Sequence, residues 1–339
     1  MSSTAARPRR TRRVLVILLL LLLGLLGGVL AWGLYLQSQL AGIPRFPVTH
    51  PGPRPARVPG HGVTFLLAGV DASQGGGDLR AMLASGRWTP GSYRSDALSV
   101  VHLAADRSHA EVISIPRDTW TTIPGHGRAK VNAAMSLGGP SLTVQTVEQL
   151  TRTRIDHVAV VDFGGFRGLT SALGGVDVYV PRTVHDSARD YTWTRGWHHV
   201  EGEQALLYVR ERHGLPGSDF DRIQRQQNLL RAVAAKLRTY NPVTLTRVAG
   251  ELAALVSLDD ALGDGELRSL VLSLRHLRPS RVTYATVPVT GTPTIAGQSV
   301  VTIDVALTRS LFDAVESGTL TDWRRTHDLT ELPQPKSVR

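Results

Sequence analysis

The first 36 residues hold one long apolar block and no acidic residue. Val14 to Leu36 is 23 residues without a charge. At about 1.5 Å per residue a helix of that length crosses the roughly 30 Å hydrocarbon layer. It is apolar all round, which suits lipid better than the core of a water-soluble domain. Trp32 and Tyr35 stand at its far end, where aromatic side chains favour the interface. Arg7, Arg9, Arg10, Arg12 and Arg13 precede it. That asymmetry predicts a cytoplasmic N-terminus and an extracytoplasmic remainder, single-pass in the cell membrane. Gln39-Leu40-Ala41 is a poor cleavage site and the block is long for a signal peptide, so the expectation is an uncleaved anchor.

Beyond residue 62 the apolar runs shorten and become rich in β-branched residues. Val63–Val70, Ala97–Leu103, Glu111–Ile115, His157–Val161, Val176–Val180 and Val282–Val289 read as strands. Helical periodicity marks Ser141–Thr151, Gly165–Leu173, Glu203–Tyr208, Asp219–Leu237, Val243–Leu255, Glu266–Leu277 and Asp304–Val315. The second and third strands are too close for a helical crossover, so that pair is antiparallel and the sheet is mixed. The predicted fold is α/β: a three-layer α-β-α sandwich with a mixed central sheet, preceded by one transmembrane helix.

Punctuation sets the remaining boundaries. Residues 42–62 contain six prolines and four glycines and no apolar periodicity, which reads as an extended stalk. The polar end with Pro333 and Pro335 reads as a loose tail. The expected organisation is a basic tail at 1–13, the membrane helix at 14–36, a stalk at 37–62, one extracytoplasmic domain at 63–323 and a tail at 324–339.

Composition refines this picture. The 339 residues carry 38 Lys+Arg against 28 Asp+Glu, a net charge of +10. That balance suggests a polyanionic partner. The five N-terminal arginines account for half of it, however, and an extracytoplasmic domain does not meet nucleic acid. There is no cysteine. Disulfides, thiolate metal sites and cysteine nucleophiles are therefore excluded.

Candidate chemistry gathers at strand ends, the usual place for it in α/β sheets. Asp71 follows one strand and Arg94 and Asp96 precede the next. Arg117 and Asp118 follow a proline that stops a third, and Lys130 comes a short loop later. Downstream, Arg210 and Arg212 are spaced i, i+2. Asp219, Arg222 and Gln226 share one helix face at i, i+3, i+7, with Arg225 beside it. Arginine forks grip phosphate oxygens, and paired aspartates suit a hard cation that bridges to phosphates. Together they point to a pyrophosphate or phosphodiester.

Seven motifs in order complete the reading: LLAGVD (66–71), YRSDAL (93–98), SIPRDTW (114–120), IPGHGRAKVNAA (123–134), VDFGGFRGLTSALGGVDV (161–178), EGEQALLYVRER (201–212) and SDFDRIQRQQNLL (218–230). Behind such an anchor, the chain resembles the LytR-CpsA-Psr (LCP) family of cell-wall enzymes. The resemblance implies a phosphotransferase that moves a glycopolymer, such as teichoic acid or arabinogalactan, from a polyprenyl-pyrophosphate carrier to a peptidoglycan sugar hydroxyl. It implies Mg2+ held by Asp71 and Asp96, catalysis by Arg94, Arg117 and Arg222, and substrate binding by Lys130, Arg210, Arg212 and Gln226. Asp96 and Asp118 are the candidate bases. Membrane lipid is a further expected neighbour. The family often has arginine within Asp-x-Arg, whereas this chain has Asp71-Ala72-Ser73, and a glycine-rich insert over 74–92 reads as a lid or acceptor site. A non-catalytic lipid-pyrophosphate binder and a hydrolase of the same donor are the alternative functions.

Overall fold

The structure, a computed structural model, describes Tyr35, Ser38, 41–71, 77–238, Val248, 250–251, 253–274 and 277–339. All but Tyr35 of the apolar block at 14–36 lies outside these residues. Among the described residues no helix is long and apolar enough to cross a membrane.

Eight strands form the central sheet: β1 (Arg45–Phe46), β2 (Val63–Val70), β3 (Ser95–Leu103), β4 (Ala110–Ser114), β5 (His157–Asp162), β6 (Val256–Asp259), β7 (Val282–Thr286) and β8 (Thr330–Glu331). Their spatial order is β1-β6-β5-β2-β3-β4-β7-β8. The β2–β3 and β3–β4 pairs are antiparallel, while β2–β5 and β4–β7 are parallel. The sheet is therefore mixed, as the short β3–β4 connection requires.

Helices cover both faces because β2 alternates its apolar side chains. Leu66, Ala68 and Val70 enter one core. That core includes residues of α1 (Leu79–Ser85) and α2 (Ala133–Thr151). On the opposite face lie α3 (Phe166–Ala172), α4 (Gly202–Arg210), α5 (Asp219–Leu237) and α6 (Asp264–Ser273). Phe65 packs there beside Leu267 of α6. Leu169, Leu206 and Leu229 of the other three helices form a separate core under Phe163. Helix α7 (Val305–Glu316) returns to the first face through Leu311 and Phe312.

Several expectations change. The run 42–62 is no stalk. Phe46 is buried in β1, Pro51 O accepts from Gln145 Nε2 at 2.8 Å, and Arg54 pairs with Glu148 at 2.6 Å. Nor is 324–339 loose: it supplies β8, Val338 is buried, and Pro333 O accepts from Arg231. Val176–Val180 lies outside the central sheet and pairs only with Gly196–Val200. The strand expected to reach Val289 stops at Thr286, and a short second strand begins at Val289. The expected helix over 243–255 falls partly outside the described residues; its described part is helical.

Helix α2 begins before Ser141 and is broken at Gly138, Gly139 and Pro140. Gly139 has φ +65°, and a Cβ there would meet the Trp88 ring at 2.7 Å. Trp88 belongs to the insert 74–92. Leu79 and Leu83 of α1 are buried in the core. From Gly77 onward the insert is thus packed into the domain and is not a lid; 72–76 lie outside the described residues.

Candidate active site

One rim of the sheet collects the candidate residues. β2 ends there at Val70, β3 starts there at Ser95, and β4 ends there at Ser114. The register of β2 against β3 shifts between Gly69 and Val70. Such an irregularity bends the strand and re-aims side chains. It puts Asp71 and Asp96 at the ends of adjacent strands. Gly69 is required beneath them, since a Cβ would lie 2.7 Å from the Phe163 ring.

Arg117 is the hub. Its Nη1 donates to Asp96 Oδ1 at 2.5 Å. Its Nε lies 3.5 Å from Asp219 Oδ1 and 3.7 Å from Asp118 Oδ2. Lys130 Nζ lies 3.0 Å from Asp118 Oδ1, and Arg222 Nη2 lies 2.5 Å from Asp219 Oδ1 as an ion pair. Next to this group, Arg210 Nη2 meets Asp71 Oδ2 at 2.5 Å. Pro116 ends the strand and turns the chain, while the hairpin Trp120–Ile123/Gly127–Lys130 folds Lys130 back to Asp118. Helix α5 brings Asp219 and Arg222 from the opposite layer on one face, as the i, i+3 spacing requires.

Electrostatics follow from this crowding. Burial works against the Arg117 charge, but Asp219, Asp96 and Asp118 outweigh it and hold its pKa above the ordinary value. Arg222 is pulled down to about 10, chiefly by burial, with Arg117 and Arg212 adding repulsion against the support of Asp219 and Asp96. It stays cationic at neutral pH. The buried Nε atoms of Arg117, Arg210 and Arg222 have no hydrogen-bond partner among the described residues. Arg222 Nη2 and both carboxylate oxygens of Asp219 are likewise buried without a hydrogen bond, so the cluster holds both donor and acceptor capacity in reserve.

Three expected residues stand apart. Arg94 is exposed on the same rim and has no ion pair among the described residues. Arg212 is half-buried and acts on Arg222 through its charge. Gln226 does not face the cluster: its Nε2 donates to Val209 O at 3.4 Å, linking α5 to α4. Arg225 is fully buried, paired with Glu211, and its guanidinium carbon lies 4.9 Å from the Tyr208 ring centroid. It clamps α5 onto α4 and fixes Arg222 one turn away. Asp219, absent from the expected site, is a central member of the cluster, and its i, i+3 spacing to Arg222 is the signal in the sequence that points to it.

The sequence pattern of the LytR_cpsA_psr family matches residues 56–315. The chain belongs to the LytR_cpsA_psr family. It is 34% identical over 218 residues to the probable cell wall biosynthesis protein LcpB of Corynebacterium glutamicum, covering 62% of this chain and 51% of that one. It is 31% identical over 231 residues to the polyisoprenyl-teichoic acid–peptidoglycan teichoic acid transferase TagT of Bacillus subtilis, covering 65% and 67%. The match thus spans about half the length of its corynebacterial relatives. The LytR-Csp2A-Psr enzyme from Actinomyces oris superimposes with a TM-score of 0.63 at 22% identity, over 80% of this chain and 96% of that one. That likeness is one of fold.

Proposed function

We propose that this protein is an extracytoplasmic, membrane-anchored phosphotransferase that moves a glycopolymer from a polyprenyl-pyrophosphate carrier to a sugar hydroxyl of peptidoglycan. The observation that carries the reading is the Arg117 hub, where cations from four separate elements converge on one rim. Arg94, Arg117, Lys130, Arg210, Arg212 and Arg222 are six cations against four carboxylates, Asp71, Asp96, Asp118 and Asp219. The surplus positive charge suits a pyrophosphate.

Asp71 and Asp96, carboxylates at the ends of adjacent strands, would hold a magnesium ion. Arg117 and Arg210 now pair with them at 2.5 Å, so the ion would compete with these arginines for their oxygens. Among the described residues no group of three or more metal-binding side chains is present. Magnesium accepts this, since it commonly takes one or two carboxylates and completes its shell from phosphates and water. When bound it would neutralise charge on the pyrophosphate.

The chain's own groups do the rest. Arg117, Arg222 and Arg94 hold the phosphoryl oxygens; Lys130, Arg210 and Arg212 orient the remainder. The acceptor hydroxyl attacks the phosphorus bearing the polymer, and its proton passes to Asp118, a half-buried carboxylate beside Lys130 and outside the proposed metal pair. The bond to the bridging oxygen breaks and polyprenyl phosphate leaves, its new charge met by the arginines.

The test incubates the full chain in vesicles with lipid-linked polymer, magnesium and a peptidoglycan oligomer. A glycan-linked phosphodiester is expected. Free phosphorylated polymer would mean hydrolysis, and tight binding without product would mean a regulator; either result overturns the transferase. Arg117→Ala should lower turnover by roughly 10²–10³-fold with the fold intact. Replacing Asp71 and Asp96 by asparagine should abolish the magnesium response.

A further inference from the structure

The chain enters its folded part at the same rim that carries the charged cluster. β1 is parallel to β6, β6 is antiparallel to β5, and β5 is parallel to β2. β1 therefore descends from the rim that β2 climbs towards. The register is continuous: Arg45 pairs with Leu258, Leu258 with Ala159, and Ala159 with Leu67. Two residues earlier, Ile43 is buried in the same core as Phe65 and Leu258, and the register puts it at the height of Gly69. Just before it, Gly42 N–H donates to Ser38 O at 3.1 Å, the i to i−4 spacing of a helix. Asp71 is two residues above Gly69. Three strand spacings, about 14 Å, separate β1 from β2 along the sheet.

We propose that the rim bearing Asp71, Arg94, Asp96 and Arg117 faces an anionic bilayer surface directly, on a short tether. This rests on the reading of Val14–Leu36 as a membrane span. Only five residues then separate Leu36 from Gly42, six residue steps that cover roughly 9 Å if helical and about 20 Å fully extended. The proline-rich residues that would have lengthened the tether instead run along the domain: Gly86 abuts Pro47, and Arg54 is locked to Glu148. The opposite edge of the sheet, with the turn at Asp106 to Ser108, is a full eight-residue strand farther away, about 26 Å. Arg80 and Arg94 are exposed at the near rim, and Arg94 has no ion pair among the described residues. Both favour anionic headgroups within a Debye length of the surface. The cluster thereby meets a lipid pyrophosphate at the depth where that headgroup lies.

The cysteine-free sequence makes the test clean. The full chain is reconstituted in phosphatidylcholine–phosphatidylglycerol vesicles containing a headgroup-nitroxide lipid. A fluorophore is placed at Ser92→Cys on the near rim or at Ser108→Cys on the far turn. Ala81→Cys is a second near-rim position should the first misfold. Quenching at the near rim should exceed that at Ser108 by about threefold or more, given the short range of the surface. Inserting about 20 Gly/Ser residues between Ala41 and Gly42 should erase the difference. Equal quenching without the insertion, stronger quenching at Ser108, or failure of the chain to float with vesicles would each overturn the proposal. The readout needs no turnover. Loss of transfer with this pattern retained would remove the proposed reaction and leave the orientation standing.

Discussion

Arg117 Nε lies 3.5 Å from Asp219 Oδ1, and this contact joins the rim after β4 to the first turn of α5. Asp219 is also 2.5 Å from Arg222, so one carboxylate sets the spacing of two arginines. We expect Asp219→Asn to lower kcat about tenfold, by loosening both arginines, with a smaller change in KM. Asp219→Glu should recover part of the loss. Steady-state transfer kinetics read both, and an unchanged kcat in Asp219→Asn would remove it from the positioning role.

Arg225 and Glu211 form a pair with almost no exposure, 1% and 0% at the side chains. Arg225 Nε also donates to Arg339 O at 3.2 Å, which ties down the C-terminus. Burial pushes the Glu211 carboxyl up, while Arg225 opposes that. Arg225→Ala strands a carboxylate in the core and should cost about 3–5 kcal/mol. The double change Arg225→Met with Glu211→Leu removes both charges and should cost clearly less. Urea midpoints of the three proteins decide this; equal losses would mean that packing, not charge, holds the pair.

Glu111 predicts a pH dependence. It is 4% exposed, its Oε2 has no hydrogen bond, and His109 at 3.7 Å is too far to supply one. Burial pushes its carboxyl up to about 7. The folded protein therefore holds this proton more tightly than the unfolded chain does. The stability it contributes is complete below about pH 4 and is lost as pH rises through 7. Glu111→Gln should thus be more stable than the parent at pH 8, by on the order of 2–3 kcal/mol, and little changed at pH 4. Denaturant midpoints at pH 4, 6 and 8 test the sign.

Gly139 and Trp88 supply a structural check on the insert. Any side chain at Gly139 meets both a left-handed backbone and the indole 2.7 Å away. Gly139→Ala should cost about 1–3 kcal/mol. It should also shift the Trp88 emission, read against a Trp88→Phe background. A neutral change in both would mean that the insert does not pack on the break in α2.

Much of the site was legible because its chemistry sits next to strong local patterns. Asp71, Asp96 and Arg117 flank apolar β-branched runs, and β2 runs over Val63–Val70 as its pattern predicts. Asp219 and Arg222 are locked together by helical spacing alone. The sequence also determined the mixed order of β3 and β4, because so short a connection permits only an antiparallel pair.

Tertiary structure decided the rest. Two-residue strands such as Arg45–Phe46 and Thr330–Glu331 have no periodicity of their own and exist because a sheet edge offers them hydrogen bonds. That is why a proline-rich run looked like a stalk and a polar end looked loose. Gln226 shared a helix face with Arg222 yet turned to Val209, since the position of α4 is not written in α5. The convergence of Arg117 on Asp219 depends on which layer α5 occupies, and the rim at which the chain enters the sheet depends on the direction of β1. Local pattern determines elements; long-range pairing and packing determine which of their side chains meet.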